Sequence, residues 1–418
     1  MDMDAELAGY AEVRGMYMVN VEGTPWTAIE KVRPTFSISP APRVKAYAAV
    51  EGTLVEGRDT ADEVAKFLEA GPLGPDLEEY CTHNETYQFE DVHDYLTVER
   101  LYVDFTGEKV DFRVGRQAVN WGSALVFHPT DLYNEVVASE PWRERKGVNA
   151  VRANIEPTPW LQTVALVALD DDLSAFEKTE DGALPEAQDL PFSGAVKVTA
   201  KKWETDWSAV GSYQMDGHWF AGGDLRGTLG VGWWVEGGYH GDLRAIDPEG
   251  AEVVAGVDYS IPVLDRVYFA AEYRYDGTGV ADPGDYDYSL RSGSVAVPYT
   301  CETAETVNTD PAKEPSRRTT LGQHYVDGTV NIAFLDDWTV STVAIVNVAD
   351  GTGLVVPDVA LAIGERWKVH VGAQIPFGAE GEFAPPDENF DVTFGANTTN
   401  LAGFVPDATV NTWVRYSF

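Results

Sequence analysis

The chain has 418 residues, with 68 acidic and 30 basic side chains and a formal charge of −38 at pH 7. This charge would repel a polyanion, which excludes nucleic acid as a partner. The most apolar stretches, such as Trp160–Leu169, end after about ten residues, whereas a membrane helix needs roughly 20. A helical membrane protein is therefore excluded, although 11% of the residues are aromatic and 39 are glycine.

Short segments in which apolar and polar residues alternate recur from end to end. In one of them, Leu101, Val103 and Phe105 would share one face of a strand. Arg100 and Asp104 would share the other face. About eighteen such strands are predicted, near residues 8–20, 30–38, 43–56, 96–106, 109–121, 148–156, 160–169, 192–202, 205–215, 218–228, 231–241, 251–261, 267–276, 325–335, 338–348, 353–363, 366–376 and 408–418.

The connections between these strands alternate between short and long. The long segments lie near 57–95, 122–147, 170–191, 277–324 and 377–407. Outer-membrane barrels have this asymmetry, with short periplasmic turns, long extracellular loops and an even number of strands. A soluble β-sandwich or propeller would not require it. The sequence thus predicts an all-β fold: one transmembrane antiparallel up-and-down β-barrel over residues 1–418, located in the bacterial outer membrane.

The last strand carries a pattern of its own. Val414, Tyr416 and Phe418 alternate along one face and end at the terminal phenylalanine. This arrangement resembles the signal by which outer-membrane proteins are delivered for barrel insertion. The expected partners are therefore the barrel-assembly machinery during biogenesis, and afterwards outer-membrane lipid and lipopolysaccharide.

The stretch Arg113-Val-Gly-Arg-Gln-Ala-Val-Asn-Trp-Gly122, followed by His128-Pro-Thr-Asp131, resembles a motif of proteobacterial outer-membrane proteins. Alginate-export-like porins are among the families that share it. The resemblance implies a monomeric channel whose lumen carries many arginines. Strict alternation would turn Arg116 towards lipid, which is costly at mid-membrane. Either a bulge at Gly115 returns Arg116 to the lumen, or the residue lies near the headgroups.

If the apolar faces point to lipid, the opposite faces line the lumen and carry a large share of the bases. Rings of charged side chains set the selectivity of a pore, and arginine can bind a carboxylate through two hydrogen bonds. Either these bases select anionic solutes, or acids and bases pair with each other and brace the wall. The residues predicted to line the lumen are Arg14, Lys45, Arg100, Asp104, Asp111, Arg113, Arg116, Arg152, Lys197, Glu272, Arg274 and Arg415.

The sequence therefore predicts a channel or porin for the passive passage of small polar or anionic solutes through an Arg-containing lumen. The alternative is a structural barrel that serves as a scaffold or sleeve for a partner complex. The chain contains no Gly-x-Ser-x-Gly, His-Glu-x-x-His or P-loop motif, so an enzyme is not predicted. Neither a metal site nor a cofactor is predicted. The acidic stretches 170–172 and 282–288 leave a loop Ca²⁺ ion as an alternative, but they lack EF-hand spacing.

Two of the long segments carry further expectations. Cys81 and Cys301 lie in long loops on the same side of the barrel and lack CxxC spacing, which favours a disulfide between them over zinc binding. Loop 123–147 is less polar than the others and contains Leu125, Val126 and Phe127. An exposed apolar loop is disfavoured, so we expect this loop to fold into the lumen and narrow it. Packing against its neighbours is the alternative.

Overall fold

The computed structural model describes residues 4–20, 26–58, 95–133, 145, 147–169, 192–244, 249–286, 320–384, 391–394, 397–400 and 407–418. A 3-10 helix in these ranges spans Pro283–Asp285, where the Asp282 side chain accepts a hydrogen bond from the Gly284 N–H. The strands are β1 (Asp4–Val19), β2 (Trp26–Ala41), β3 (Val44–Arg58), β4 (Tyr95–Thr106), β5 (Val110–Gln117), β6 (Val148–Thr158), β7 (Leu161–Leu169), β8 (Phe192–Lys202), β9 (Thr205–Gln214), β10 (His218–Thr228), β11 (Gly232–Asp242), β12 (Gly250–Ile261), β13 (Arg266–Asp276), β14 (His324–Phe334), β15 (Trp338–Asn347), β16 (Gly353–Ile363), β17 (Trp367–Phe377), β18 (Asp391–Phe394), β19 (Asn397–Asn400) and β20 (Ala408–Ser417).

None of the helices in the described ranges is long and apolar enough to span a membrane.

Eighteen of the strands form a single closed sheet. From β1 to β17, each strand pairs antiparallel with the next along the chain, and β20 then pairs with both β17 and β1. In lipid every backbone polar group must be satisfied within the protein, and closure leaves no unpaired edge. The prediction of one antiparallel barrel of about eighteen strands is confirmed. β18 and β19 pair only with each other and form a hairpin inside the segment predicted as the last long loop.

The two ends of the barrel differ. Turns of only a few residues join β2 to β3, β4 to β5, β6 to β7 and the later pairs down to β16 and β17. We call this the tight-turn end. The longest connections, after β3, β5, β7, β13 and β17, all lie at the other end, which we call the long-loop end. β1 to β3 have 15 or 16 residues each and extend further than the sequence pattern predicts.

The outward face of the barrel is apolar. Val196 and Val330, near the middle of their strands, are 46% and 38% exposed. Exposed aromatic residues form girdles at both ends, as a bilayer requires. Those near the tight-turn end include Phe105, Trp160, Trp203, Tyr259, Phe269, Trp338, Trp367 and Phe418, and those near the long-loop end include Tyr17, Trp26, Phe192, Tyr213, Tyr239, Tyr273 and Phe377. A closed antiparallel barrel with this exterior is a bacterial outer-membrane protein.

Candidate functional site: a lumen narrowed by an inward segment

The chain that follows β5 enters the barrel. Residues 118–133, which we call the inward segment, are mostly buried. The hydroxyl of Ser123 donates a hydrogen bond of 2.8 Å to Asp224, and the Arg226 guanidinium donates one of 3.3 Å to the Ser123 carbonyl. Both partners are inward-facing residues of β10. The prediction that this loop folds into the lumen is confirmed for residues 123–133, and residues 134–144 lie outside the described ranges.

Glu236 on β11 holds the first part of the inward segment. Its carboxylate accepts hydrogen bonds from the backbone N–H groups of Ser123 (2.5 Å), Ala124 (2.9 Å) and Thr130 (2.9 Å), and from the Thr130 hydroxyl (2.8 Å). Gly122 makes this approach possible. It has a φ of +96°, and a Cβ there would lie 2.6 Å from a carboxylate oxygen of Glu236. The tight contact therefore requires glycine at this position.

Glu272 on β13 holds the next two residues. Its carboxylate accepts from the N–H groups of Leu125 (2.8 Å) and Val126 (2.9 Å), and from the indole N–H of Trp234 (2.6 Å). The indole crosses Gly256 on the intervening strand β12, where a Cβ would lie 2.4 Å from the ring. Glu272 thus attaches the inward segment to the wall at one position along β13.

Apolar side chains of the inward segment pack on inward-facing apolar residues near the carboxylates. This lining departs from the polar lumen expected of a porin and explains why the segment is stable inside the barrel. One cluster places Val119 and Trp121 against Ala150, Leu166, Ala168, Ala195, Val210 and Phe220. A second cluster places Ala124, Val126 and Phe127 against Trp234, Val254, Ala270, Tyr325 and Ile345.

The last described part of the inward segment is tied back towards β4. Asp131 forms an ion pair with Arg145, and the Arg145 carbonyl accepts a hydrogen bond from Arg100. His128 lies near Glu236 and Arg145, and burial lowers its pKa more than the Glu236 carboxylate raises it. The imidazole is therefore neutral at pH 7, and His128 adds no positive charge to the lumen there.

A polar cavity of about 440 Å³ lies between the start of the inward segment and strands β6 to β10. This volume lies within the range of small-molecule sites. Its wall combines bases, acids, amides and hydroxyls, so it can bind polar and charged groups. The lining residues are Asn120, Trp121, Gly122, Ser123, Arg152, Asn154, Gln162, Val164, Lys197, Thr199, Lys201, Asp206, Ser208, Asp224 and Arg226.

Several of the predicted lumen bases are paired with acids of the wall. Arg113 donates two hydrogen bonds to Asp104, at 2.6 and 2.9 Å. Arg14 and Arg415 both bind Glu12, at 3.0 and 2.6 Å. The carboxylates neutralise the charge of these guanidinium groups. The pairs also link residues of the wall to each other, which is the bracing that the sequence left as an alternative.

The same pattern holds on the other side of the lumen. Lys197 lies 2.7 Å from Asp224. Arg274 is buried between Glu252 (2.6 Å) and Asp276 (2.9 Å). Two predicted residues lie near the tight-turn end: Asp111 accepts a hydrogen bond from the Gly107 N–H, and Lys45 is exposed.

Arg152 on β6 differs from these bases. Its buried Nε has no hydrogen-bond partner among the described residues, and no ion pair joins it to a described acid. Arg113, which lies directly opposite Arg152 on the neighbouring strand β5, already binds Asp104. Arg152 faces the polar cavity. Its guanidinium therefore lies at the wall of the cavity without an ion pair to a described acid.

Arg116 lies three positions after Arg113 in β5, so strict alternation would place the two side chains on opposite faces of the strand. The pairing runs through Gly115 without a shift, and Arg116 lies opposite Leu101 and Asn149. Arg116 lies next to the end of β5, its Nε is buried, and the preceding Gly115 has a φ of +118°. The register therefore does not decide between the two alternatives for this residue.

Cys81 and Cys301 lie outside the described residues, so the disulfide between them stays a prediction.

Phe418 lies at the seam where the first and last strands close the barrel. Its N–H donates to the Gly9 carbonyl at 3.0 Å, and the Gly9 N–H donates to the Phe418 carbonyl at 3.1 Å. Val414 lies opposite Val13 of β1 and Val369 of β17. Tyr416 has the same parity as Val414.

We expect Phe418→Ala to reduce severalfold the amount of folded barrel recovered from the outer membrane, because it removes the aromatic end of the predicted insertion signal. The measurement is the heat-modifiable gel band of isolated outer membranes. Ser417→Ala changes the adjacent residue of opposite parity and should leave that band unchanged. Equal recovery of both variants would show that the terminal aromatic ring is not needed for assembly.

A second polar cluster joins the loops at the long-loop end. Glu382, between β17 and β18, is fully buried. It accepts hydrogen bonds from the N–H groups of Leu321 (3.0 Å) and Gly322 (3.3 Å), the amide of Asn347 (2.8 Å) and the Tyr325 hydroxyl. We call these residues the Glu382 clasp. The clasp links the connections after β13, β15 and β17.

Comparison with solved structures places this barrel among known outer-membrane folds. OccK3 (OpdO) of Pseudomonas aeruginosa matches with a TM-score of 0.52 and 11% identity over 99% of this chain and 96% of that one. OccAB4 of Acinetobacter baumannii matches with a TM-score of 0.55 and 9% identity over 99% and 98% of the two chains. No protein-family model and no curated protein matches the chain. The likeness is one of fold, to Occ outer-membrane porins, and the resemblance to alginate-export-like porins is not confirmed.

Proposed function

We propose that this protein is an outer-membrane channel that lets small anionic or polar solutes pass passively along the Arg-containing lumen. The observation that carries the proposal is Arg152, a guanidinium that forms no ion pair with a described acid, beside a polar cavity that adjoins the inward segment. The likeness in fold to Occ porins supports a channel in general and says nothing of its solutes.

The chemistry of the cavity favours a solute that carries both an anionic group and hydrogen-bonding groups. Arg152 offers a fork of N–H donors suited to a carboxylate. Asn154 and Gln162 on β6 and β7 line the same cavity and offer both donors and acceptors. Bases that are already paired, such as Arg113, keep the rest of the wall polar and nearly neutral. Anions would therefore concentrate at Arg152 without being trapped along the whole lumen.

Replacing Arg152 with glutamine should shift the channel towards cations. A unit charge at 4 Å in water is worth about 1 kcal/mol, so the anion-to-cation permeability ratio should fall by up to about five-fold. The measurement is the reversal potential of the purified protein in a planar bilayer under a KCl gradient. Arg43→Gln is the matched control, since it removes the same charge from a residue that is 66% exposed in a tight turn.

A folded Arg152→Gln protein with the reversal potential of the unmodified channel would contradict selectivity at this arginine and leave a general pore. If the unmodified protein did not conduct at all, the channel proposal would fail. The alternative of a structural barrel that serves as a scaffold or sleeve for a partner complex would then be favoured.

A further inference from the structure

We propose that Glu236 and Glu272 set the width of the pore, because they hold the backbone of the inward segment against one side of the lumen. The two carboxylates accept hydrogen bonds from five backbone N–H groups and one hydroxyl group of the segment. They are 0% and 3% exposed. A buried carboxylate is stable only when hydrogen bonds replace its lost hydration, and here the segment supplies most of them.

The contacts require carboxylates rather than polar groups in general. In Glu236, one oxygen accepts from Ser123 and Ala124, and the other accepts from both donors of Thr130. A glutamine at this position would present an NH₂ group to one of these pairs of donors. Donors would then face donors, at a cost of about 1–3 kcal/mol for each buried group left without a partner.

The donors on the segment are almost all main-chain groups. The hydrogen bonds of the segment are therefore positioned by the wall residues that carry an acid, and its apolar side chains add packing in the two clusters described above. The same residues also shape the polar cavity, since Gly122 and Ser123 belong to its wall and touch or adjoin Glu236. Glu236 and Glu272 are thus positioning residues for the solute path, and this role rests on the proposed channel function.

The experiment compares the double variant Glu236→Gln/Glu272→Gln with the unmodified protein in planar bilayers. We expect a severalfold rise in single-channel conductance and passage of larger polyethylene glycols, because the inward segment leaves the wall. Glu51→Gln is the control. It removes a buried inward carboxylate of β3, which is bound to Lys31 and Tyr10 and has no hydrogen bond to the described residues of the segment. Its conductance and size cut-off should stay near those of the unmodified protein.

A second readout does not depend on conduction. In a Cys81→Ser/Cys301→Ser background, Ala124→Cys places a thiol where the side chain is now 5% exposed. We expect a membrane-impermeant maleimide to label it slowly with the wall acids intact and quickly in the double variant. If the double variant does not fold, Gly122→Val tests the same contact from the other side, since its Cβ would collide with Glu236.

Fast labelling together with raised conductance supports the proposal. Unchanged labelling and unchanged conductance in a folded variant would overturn it. An unmodified protein that does not conduct would count against the channel function alone, because the labelling experiment would still decide whether the two carboxylates hold the segment.

Discussion

Replacing Glu382 with alanine is expected to lower the free energy of unfolding by about 2–5 kcal/mol, because the Leu321 N–H and the Tyr325 hydroxyl lose their buried acceptor, at a cost of about 1–3 kcal/mol each. The Gly322 N–H and the Asn347 amide lose one bond each but still donate to the hydroxyls of Tyr325 and Tyr286. The Glu382 clasp joins three connections at the long-loop end, so the loss should be concentrated there. The measurement is urea unfolding in phospholipid vesicles followed by tryptophan fluorescence, with limited proteolysis to locate the change.

Glu380→Ala provides the control for the clasp. This residue lies two positions earlier in the same connection, carries the same charge and is exposed. Its replacement should change stability by no more than about 0.5 kcal/mol, as is usual at the surface. If the two alanine variants unfolded alike, the hydrogen bonds of Glu382 would contribute nothing beyond its charge.

The second large effect concerns the face that meets lipid. Val330 lies near the middle of β14 and points outward. Val330→Arg should lower the stability of the membrane-inserted barrel by about 2–4 kcal/mol, the cost of a mid-membrane arginine on a barrel exterior. The next residue, Asn331, points into the lumen, so Asn331→Arg should be tolerated at nearly the original stability. Urea titration in vesicles measures both variants.

The comparison of these two neighbours tests the assignment of the faces. If Asn331→Arg were the costly change and Val330→Arg the harmless one, the apolar face would be the interior, and the barrel would not be a membrane protein. Equal costs would indicate that β14 does not cross the hydrocarbon layer.

Local pattern was sufficient to predict the strands and their faces. Val196 beside Lys197 already indicates which side of β8 faces lipid, because a strand alternates with period two and lipid excludes the lysine. The same rule places Arg113 and Asp104 in the lumen. Their pairing could not be decided, since an arginine in a lumen can bind either a neighbouring acid or a solute. In the structure Arg113 binds Asp104, whereas Arg152 forms no ion pair with a described acid.

The destination of the inward segment could not be predicted for a different reason. Ser123 and Glu236 are more than a hundred positions apart, and the groups that bind Glu236 are mostly backbone N–H groups, which every residue except proline possesses. No residue type therefore marks the contact. The low polarity of loop 123–147 indicated that it would be buried, and Gly122 was visible in the motif, but neither identified the wall acid. Nothing in the sequence distinguished Glu382 as a buried residue, because it lies among other acids in a segment predicted as a loop.

The seam between β1 and β20 has a consequence for how the barrel is made. β20 pairs with both β1 and β17, so both of these strands expose unpaired backbone groups until β20 has been made. A ribosome that stalls before β20 would release an open sheet with two unpaired edges, which is prone to aggregate. A cell that makes this protein therefore has to prevent self-association of β1 to β17 until β20 has been synthesised.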